Sequence, residues 1–460
     1  MRRTHTPLLL GAAALVAGCY DQPAPTSPAI PRASLAAVAA PLLTTPEMVR
    51  QLAASRGVVA LPPKPVVRQP LTNLGQALLF DPILSGNRNI SCATCHLPSV
   101  GMGDGLALSV GEGGNGFGLD RRHPAGVFIP RNAPPLFNIG AMKHLFWDGR
   151  VQAGADGRVH TPAGASVTPA MQRVFEFGPA SALGLFPVTN RAEMRGMSGN
   201  ELAEIPDADV TAIWAAVMKR LGKIPQYRAM FQAAYPRTRF EDMTFAHASN
   251  AIGAFMVDKL TFANSPWDRF LAGNDRALTT PQLEGARTFL TLKCSLCHTG
   301  ATFSDDQFHN VAVAQIGPGQ GDGVSLLDDF GRMRVTGLAS DKYLFRTTPL
   351  RNVELTGPFG HTGVIGSVRG FIEHYSESDK KLMDFDPSSL EPSLRGTLLA
   401  NAADILAQRD TLLQGVVLTP ALVEQLTVYM LALTDDAARN LSHLVPQRVP
   451  SGLPMMPARR

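Results

Sequence analysis

A mostly α-helical chain built as two tandem units of one design is what this sequence predicts, on three observations. The pattern Cys-x-x-Cys-His occurs twice, in SCATCHLP (Ser91–Pro98) and in KCSLCHTG (Lys293–Gly300). Apolar residues at helical spacing precede each copy, and a second amphipathic stretch follows each. The length, 460 residues, is too great for one ordinary core and suits two plus tails. Hydrophobic residues make up 45% and charged residues 17%, a globular composition, while 42 Gly and 36 Pro require many ordered turns and long loops.

The elements follow in chain order. Arg2 and Arg3 open a basic start, Leu8 to Ala17 is a short apolar run, and LVAGC places small residues before Cys19. This is the lipobox of a bacterial lipoprotein signal, with residues 1–18 removed and Cys19 lipidated; an ordinary secretory signal with an incidental cysteine is the alternative. Either exports the chain, so a periplasmic, lipid-anchored protein is expected. Residues 19–45, beginning YDQPAPTSPAIPRAS at Tyr20, form a Pro-rich tether that cannot pack a core. No later segment has the roughly 20 uninterrupted apolar residues of a spanning helix, which leaves the lipid as the membrane link. The net charge of +4, less Arg2 and Arg3, is +2, and no basic run is interleaved with aromatics. That excludes a nucleic-acid partner.

The first unit is expected at 46–265, the second at 266–442 and a tail at 443–460, with the boundary near Asn264 to Ala272. In LTNLGQALLF, Leu71, Leu74 and Leu78 share a helix face and Pro82 stops the helix. In TTPQLEGARTFL, Thr280 is the expected cap and Pro281 the first helical residue, with Leu283, Ala286, Phe289 and Leu290 on one face. The closing helices are FAHASNAIGAFMV from Phe245 and TPALVEQLTVYMLAL from Thr419.

Of five cysteines, Cys19 belongs to the lipobox and the other four to the repeated motif, so none is left for a disulfide. Two thiols one helical turn apart reach the two vinyl groups of a haem, and the adjacent histidine supplies the proximal iron ligand. Cys92 and Cys95 with His96, and Cys294 and Cys297 with His298, therefore predict two covalent haem c groups. A zinc site built from both Cys pairs is the competing reading; the pairs lie far apart and each has its own histidine. A helix before the haem and a helix closing the unit make a cytochrome c domain, so the fold class becomes two tandem cytochrome c-like domains, each with one covalent haem, plus long loops. A pure electron carrier fills the sixth position of both irons with His or Met, whereas a peroxidase leaves one open. Spacing does not decide between them, because 16 Met are present and eleven His less the two proximal ones leave nine.

The segments GNRNISCATCH, PRNAPPLFN, LFWDGR, PVTNRAEM, CSLCH, LFRTTPLRNVELTGPFGHTG and FIEHY, spread over Leu71 to Leu433, resemble the bacterial dihaem cytochrome c peroxidase and MauG family. That resemblance implies a peroxide site at the N-terminal haem and an electron relay at the C-terminal haem. Glu193 in PVTNRAEM, six residues after Pro187, matches the distal acid/base; its bland alternative is a solvated helix residue. Trp147 in LFWDGR matches the tryptophan between the haems. Asn132, with Thr356 and Pro358 in LTGPFGH, matches the oxygen donors of an inter-domain Ca2+, a hard cation served by such ligands. The family's axial methionine falls fourteen residues after the histidine of its HTG turn, and His361 plus fourteen is Tyr375. MauG-like members carry tyrosine there, a hard anionic ligand favouring oxidised iron; a core tyrosine with His374 or a methionine coordinating instead is the alternative. His361 is expected at the haem edge or a carboxylate, not on the iron.

Departures from the family matter equally. Where many members have a capping histidine in a GHG context, this chain has SVGEGG with Glu112, which implies a first haem open without reductive activation. His123, in the inserted loop GFGLDRRHPAGVFI, is a replacement cap or a surface residue. Leu183 stands where the family has a glutamine, and an insertion containing AGADGRVHTPAGASVTPAMQ follows Arg150. The expected function is reduction of hydrogen peroxide with electrons from a small donor protein, a cytochrome c or a cupredoxin. The alternatives are a MauG-like oxidase of a protein or organic substrate and a non-catalytic dihaem shuttle. Family members are often dimers, so a homodimer is among the expected assemblies.

Overall fold

The structure, a computed structural model, describes residues 43–455. Cys19, the expected signal 1–18 and all but the end of the tether lie outside the described residues. Helices account for 45% of the chain and strands for little, as the periodicity predicts. The helix Gln69–Phe80 buries Leu71, Leu74 and Leu78 completely. It crosses the helix Phe245–Lys259, whose Ala, Gly and Ser residues allow burial on nearly every side. The approach is so close that a Cβ on Gly75 would lie 1.8 Å from the Ala251 carbonyl oxygen. The second half repeats this arrangement. Thr280–Thr291 crosses Pro420–Leu431, and a Cβ on Gly285 would lie 2.2 Å from the Gln425 carbonyl.

One boundary differs from expectation. Thr279, not Thr280, is the N-cap, because Gln282 completes a capping box with it: the Thr279 hydroxyl accepts from Gln282 N, and Gln282 Oε1 accepts from Thr279 N at 3.0 Å.

The two largest hydrophobic clusters among the described residues lie one around Leu74, Phe80, Trp214 and Phe255 and the other around Trp267, Phe289 and Tyr429. Long-range contacts cross between them in ways local periodicity does not reveal. The helix Pro46–Ser55, expected in the first unit, buries Val49 and Ala53 in the second cluster. From the chain's end, Leu444 and Val449 return to the first cluster, and Ser451 donates to Asp81 at 2.6 Å. From Thr44 onward the chain forms one compact unit.

The described strands form two small antiparallel sheets, the first of which contributes Leu145, Val151 and Val159 to the first cluster. His144–Leu145, Val151–Ala153 and Val159–His160 make one, so the insertion after Arg150 folds as a hairpin with His144 opposite Gln152 and Gln152 opposite His160. Phe308–His309 and Phe345–Arg346 make the other, with Phe308 opposite Arg346. Arg332 spans from the second half to the hairpin, donating to the Asp148 carbonyl at 3.0 Å and to Gln152 Oε1 at 2.8 Å.

Candidate active site

Each Cys-x-x-Cys is a single helical turn, Cys92–Cys95 and Cys294–Cys297, with the histidine as its C-cap. The two sites repeat in detail. His96 Nδ1 donates to the Met102 carbonyl at 3.0 Å, and His298 Nδ1 donates to the Phe303 carbonyl at 3.0 Å. Both accepting residues sit in left-handed backbone, φ 60° and φ 59°. Tying Nδ1 in this way fixes the tautomer and leaves Nε2 as the ligand atom. Burial holds both imidazoles neutral, as metal ligation requires.

All four cysteines are unbridged thiols. Burial pushes Cys92 up to about 12 and Cys294 up to about 11. No metal cluster among the described residues combines the two pairs; the one cluster found is Cys297 with Asp305 and His309. There His309 is already taken, with Nδ1 on Asp410 and Nε2 on Asp305 at 2.9 Å. The zinc reading therefore fails on geometry.

At the second motif the chain surrounds a cavity of about 640 Å³, lined by Cys294, Cys297, His298, Tyr375, His361 and Trp147. That is a cofactor-sized space, within the roughly 300–1,000 Å³ usual for such sites. Tyr375 reaches it from the helix Val368–Ser376; no hydrogen bond joins its hydroxyl to another described residue, and burial raises its pKa. His374, its neighbour, turns away: its ring donates from Nε2 to the Val311 carbonyl at 2.7 Å. Met142 and Met430 also line the space. His361 stacks on Phe345 at 3.7 Å, and its centroid is 6.5 Å from that of Trp147. Its buried Nε2 has no partner, and burial pushes its pKa down to about 3.

Trp147 donates through Nε1 to the Asn132 carbonyl at 2.8 Å. The preceding residue faces the other half: Phe146 packs edge-on against Phe186, beside Pro187, and carries the Arg150 guanidinium 3.7 Å above its ring. Phe146 has φ 63°, a left-handed conformation costly for an aromatic residue. Consecutive side chains thereby serve opposite sites.

Glu193 lies on a π-turn, Arg191–Arg195, closed by the Gly196 N–H donating to the Arg191 carbonyl at 3.0 Å. Such turns recur at functional sites because the extra residue re-aims a side chain. The carboxylate is half-buried, 3.3 Å from Asn190 Nδ2, and near enough to Cys92 and Cys95 to raise both thiols. Burial raises its own pKa, partly offset by Arg150.

The loop that carries Glu112 is fastened beside this turn. Glu112 N donates to the Ala192 carbonyl at 2.9 Å, and a Cβ on Gly111 would lie 2.1 Å from that same oxygen. Glu112 Oε1 accepts from Asn87 at 2.7 Å and Asn89 at 3.2 Å. Buried Arg121 pins the loop by donating to the Val110, Gly111 and Gly116 carbonyls. His123 lies with its ring over Gly113 and accepts from Ala125 N through Nδ1.

Asn132, Thr356 and Pro358 all line the second cavity. Asn132 spends its amide nitrogen on the Leu106 carbonyl at 2.9 Å and the Ala107 carbonyl at 3.3 Å, which leaves Oδ1 without a hydrogen bond. Three neutral oxygen donors fit a hard cation.

The model of the family described as di-haem cytochrome c peroxidase matches residues 69–276. Cytochrome c551 peroxidase of Pseudomonas aeruginosa is 30% identical over 299 residues, covering 65% of this chain and 69% of that protein. The chain belongs to the di-haem cytochrome c peroxidase and MauG family. Within it, the methylamine utilization protein MauG of Methylorubrum extorquens is 28% identical over 344 residues, covering 74% of this chain and 77% of its own. Two solved structures share the fold. A MauG-like protein associated with microbial copper homeostasis has 24% identity and a TM-score of 0.60, covering 85% of this chain and 98% of its own. The diheme peroxidase BthA of Burkholderia thailandensis has 20% identity and a TM-score of 0.53, covering 83% and 95%. Family membership brings two haem c cofactors.

Sequence reading missed a buried charged cluster that ties the two halves of this chain together. Arg131 donates to Asp329 at 2.6 and 2.7 Å and to Asp148 at 2.7 Å, all three buried. Burial alone would raise both carboxyls, but Arg131 holds them below the usual carboxylate range. The available signal was an arginine beside Asn132 and an aspartate beside Trp147, inside otherwise apolar segments.

Proposed function

We propose that the protein is a dihaem c-type peroxidase that reduces hydrogen peroxide to water with electrons from a small periplasmic redox protein, a cytochrome c or a cupredoxin. The reading rests chiefly on Glu193, a carboxyl with a raised pKa beside the first haem motif. The Glu112 loop next to it is tied back by Asn87, Asn89 and Arg121 and carries a glutamate where many family members have the capping histidine. Cys92, Cys95 and His96 would hold the first haem, which would supply the redox chemistry of peroxide reduction. Glu193 takes a proton from the inner oxygen and returns it to the outer one, so that water leaves. The reaction balances as one peroxide, two electrons and two protons to two waters. Trp147, between His361 and the Phe146 side of the first site, carries the electrons across. Tyr375 would offer a phenol oxygen as a ligand to the second haem, a role supported by its place in the cavity of Cys294, Cys297 and His298 and by the commitment of His374 to the Val311 carbonyl.

Asn132, Thr356 and Pro358 hold one Ca2+ between the halves. The chain works in the periplasm on a lipid anchor at Cys19; no helix among the described residues is long and apolar enough to cross a membrane. Tyr375 also favours a second reading, a MauG-like oxidase of a protein or organic substrate. Stopped turnover assays separate the two: consumption of two reduced cytochrome c per peroxide supports the peroxidase, and oxidation of an aromatic protein substrate without donor turnover supports the oxidase.

A further inference from the structure

Arg346 is a buried cation without an anion. It is 5% exposed, and its guanidinium donates only to the Phe146 carbonyl through Nε at 3.1 Å and to the Thr347 carbonyl through Nη1 at 3.3 Å. Nη2 has no partner, and the residue enters no ion pair among the described residues. The other buried arginines each have a carboxylate partner, Arg121 excepted. Arg131 grips Asp329 and Asp148, Arg351 pairs with Asp268, Arg195 with Asp207 and Arg220 with Glu201. Arg121 lacks a carboxylate but spreads its donors over three carbonyls. Leaving a guanidinium buried and unpaired is costly, and burial pulls Arg346 down to about 10 despite Asp306 and Asp148. A fold tolerates such a group where the partner arrives with a ligand.

The place of Arg346 says which ligand. It lines the cavity of Cys294, Cys297 and His298, so the group filling that space is the haem, whose only anionic substituents are two carboxylates. Of the other cations of the cavity wall, Arg56 Nε donates to the Leu290 carbonyl, Lys293 Nζ donates to the Leu412 and Gln414 carbonyls, and Arg351 pairs with Asp268 and donates to the Ala301 carbonyl, its buried Nη2 alone having no partner among the described residues. A guanidinium fork matches a carboxylate in plane and spacing. We propose that Arg346 holds a carboxylate of the haem bound through Cys294 and Cys297, and so fixes that haem edge against the segment that carries Trp147. The connection to Trp147 is already made on the protein side, since Arg346 N donates to the Trp147 carbonyl at 2.8 Å and its Nε to that of Phe146. Arg346 is thus a positioning residue.

The inference rests on the dihaem reading, and haem counting of the wild-type protein checks that reading separately: fewer than two covalent haems sinks both. With two present, optical and spin-resonance redox titrations compare wild type, Arg346→Gln and Arg346→Lys. The expected result is a lower reduction potential for the second haem in Arg346→Gln, because loss of a positive charge favours the ferric state, with the first haem unmoved and Arg346→Lys close to wild type. Loss of the second haem in Arg346→Gln but not in Arg346→Lys supports the same assignment. An unchanged second haem in Arg346→Gln, a shift of the first haem instead, or equal damage from both substitutions overturns it.

Discussion

Glu193 owes its proposed chemistry to its surroundings more than to its own acidity. Burial disfavours the carboxylate, so its pKa lies above the ordinary glutamate value of 4.5, and the proton is held to higher pH than in a free side chain. A step that needs the carboxylate as base is lost as pH falls through this raised pKa. The acidic limb of the rate profile is therefore expected above the usual glutamate range, and Glu193→Gln should abolish that limb. The same substitution should keep both haems while slowing peroxide cleavage by about 10²–10⁴-fold, the usual worth of a positioned proton carrier; unchanged single-turnover rates would remove Glu193 from the mechanism. Tyr375→Phe should change the optical and spin-resonance spectrum of the second haem alone. At this scale the sequence was most informative where chemistry is local, as in the Cys-x-x-Cys-His turns. It was silent on Arg346, because a lone arginine in LFRTT looks like a surface residue until the cavity around it is known.

The elements show why these residues stand where they do. The π-turn at Arg191–Arg195 re-aims Glu193, and the Arg121 pin holds the adjacent loop. Phe146 and Trp147 point to opposite halves from one short segment, which the ion-paired cluster of Arg131, Asp148 and Asp329 anchors. Replacing Arg131 by Met strands the buried Asp329 carboxylate and leaves Asp148 with Arg150 alone, and the expected loss of stability in urea unfolding at neutral pH is roughly 3–5 kcal/mol. The pH dependence follows from the sign of the shifts. Asp148 and Asp329 have depressed pKa values in the folded state, so their contribution is present above the unfolded carboxylate pKa of about 4 and fades as pH falls below it. Wild type should lose stability over that acidic range, and Arg131→Met should lose less; parallel curves would contradict the assignment. The helices were legible from apolar spacing, with one cap misplaced by a residue. The π-turn was not, because nothing in RAEMR distinguishes five-residue from four-residue closure.

For the whole molecule, the tandem design is visible twice, in the repeated motif and in two helix pairs that cross at Gly75 and Gly285. What the sequence did not reveal is how the halves exchange segments, Pro46–Ser55 packing into the second cluster while Leu444 and Val449 return to the first. Those contacts depend on long-range geometry and leave no local periodic signal. The Ca2+ proposed at Asn132, Thr356 and Pro358 belongs to this scale: chelation should lower the melting temperature, Ca2+ should restore it, and Asn132→Ala should blunt both effects; a melting curve indifferent to chelator would remove the ion. The central claim, that one iron accepts peroxide while the other stores and relays electrons, is tested most directly by following the ferric protein spectroscopically as peroxide is added. The account predicts a high-spin component at the first haem that disappears on adding peroxide, with a change at the second haem as well. Two low-spin, fully ligated haems that ignore peroxide in every oxidation state would contradict it.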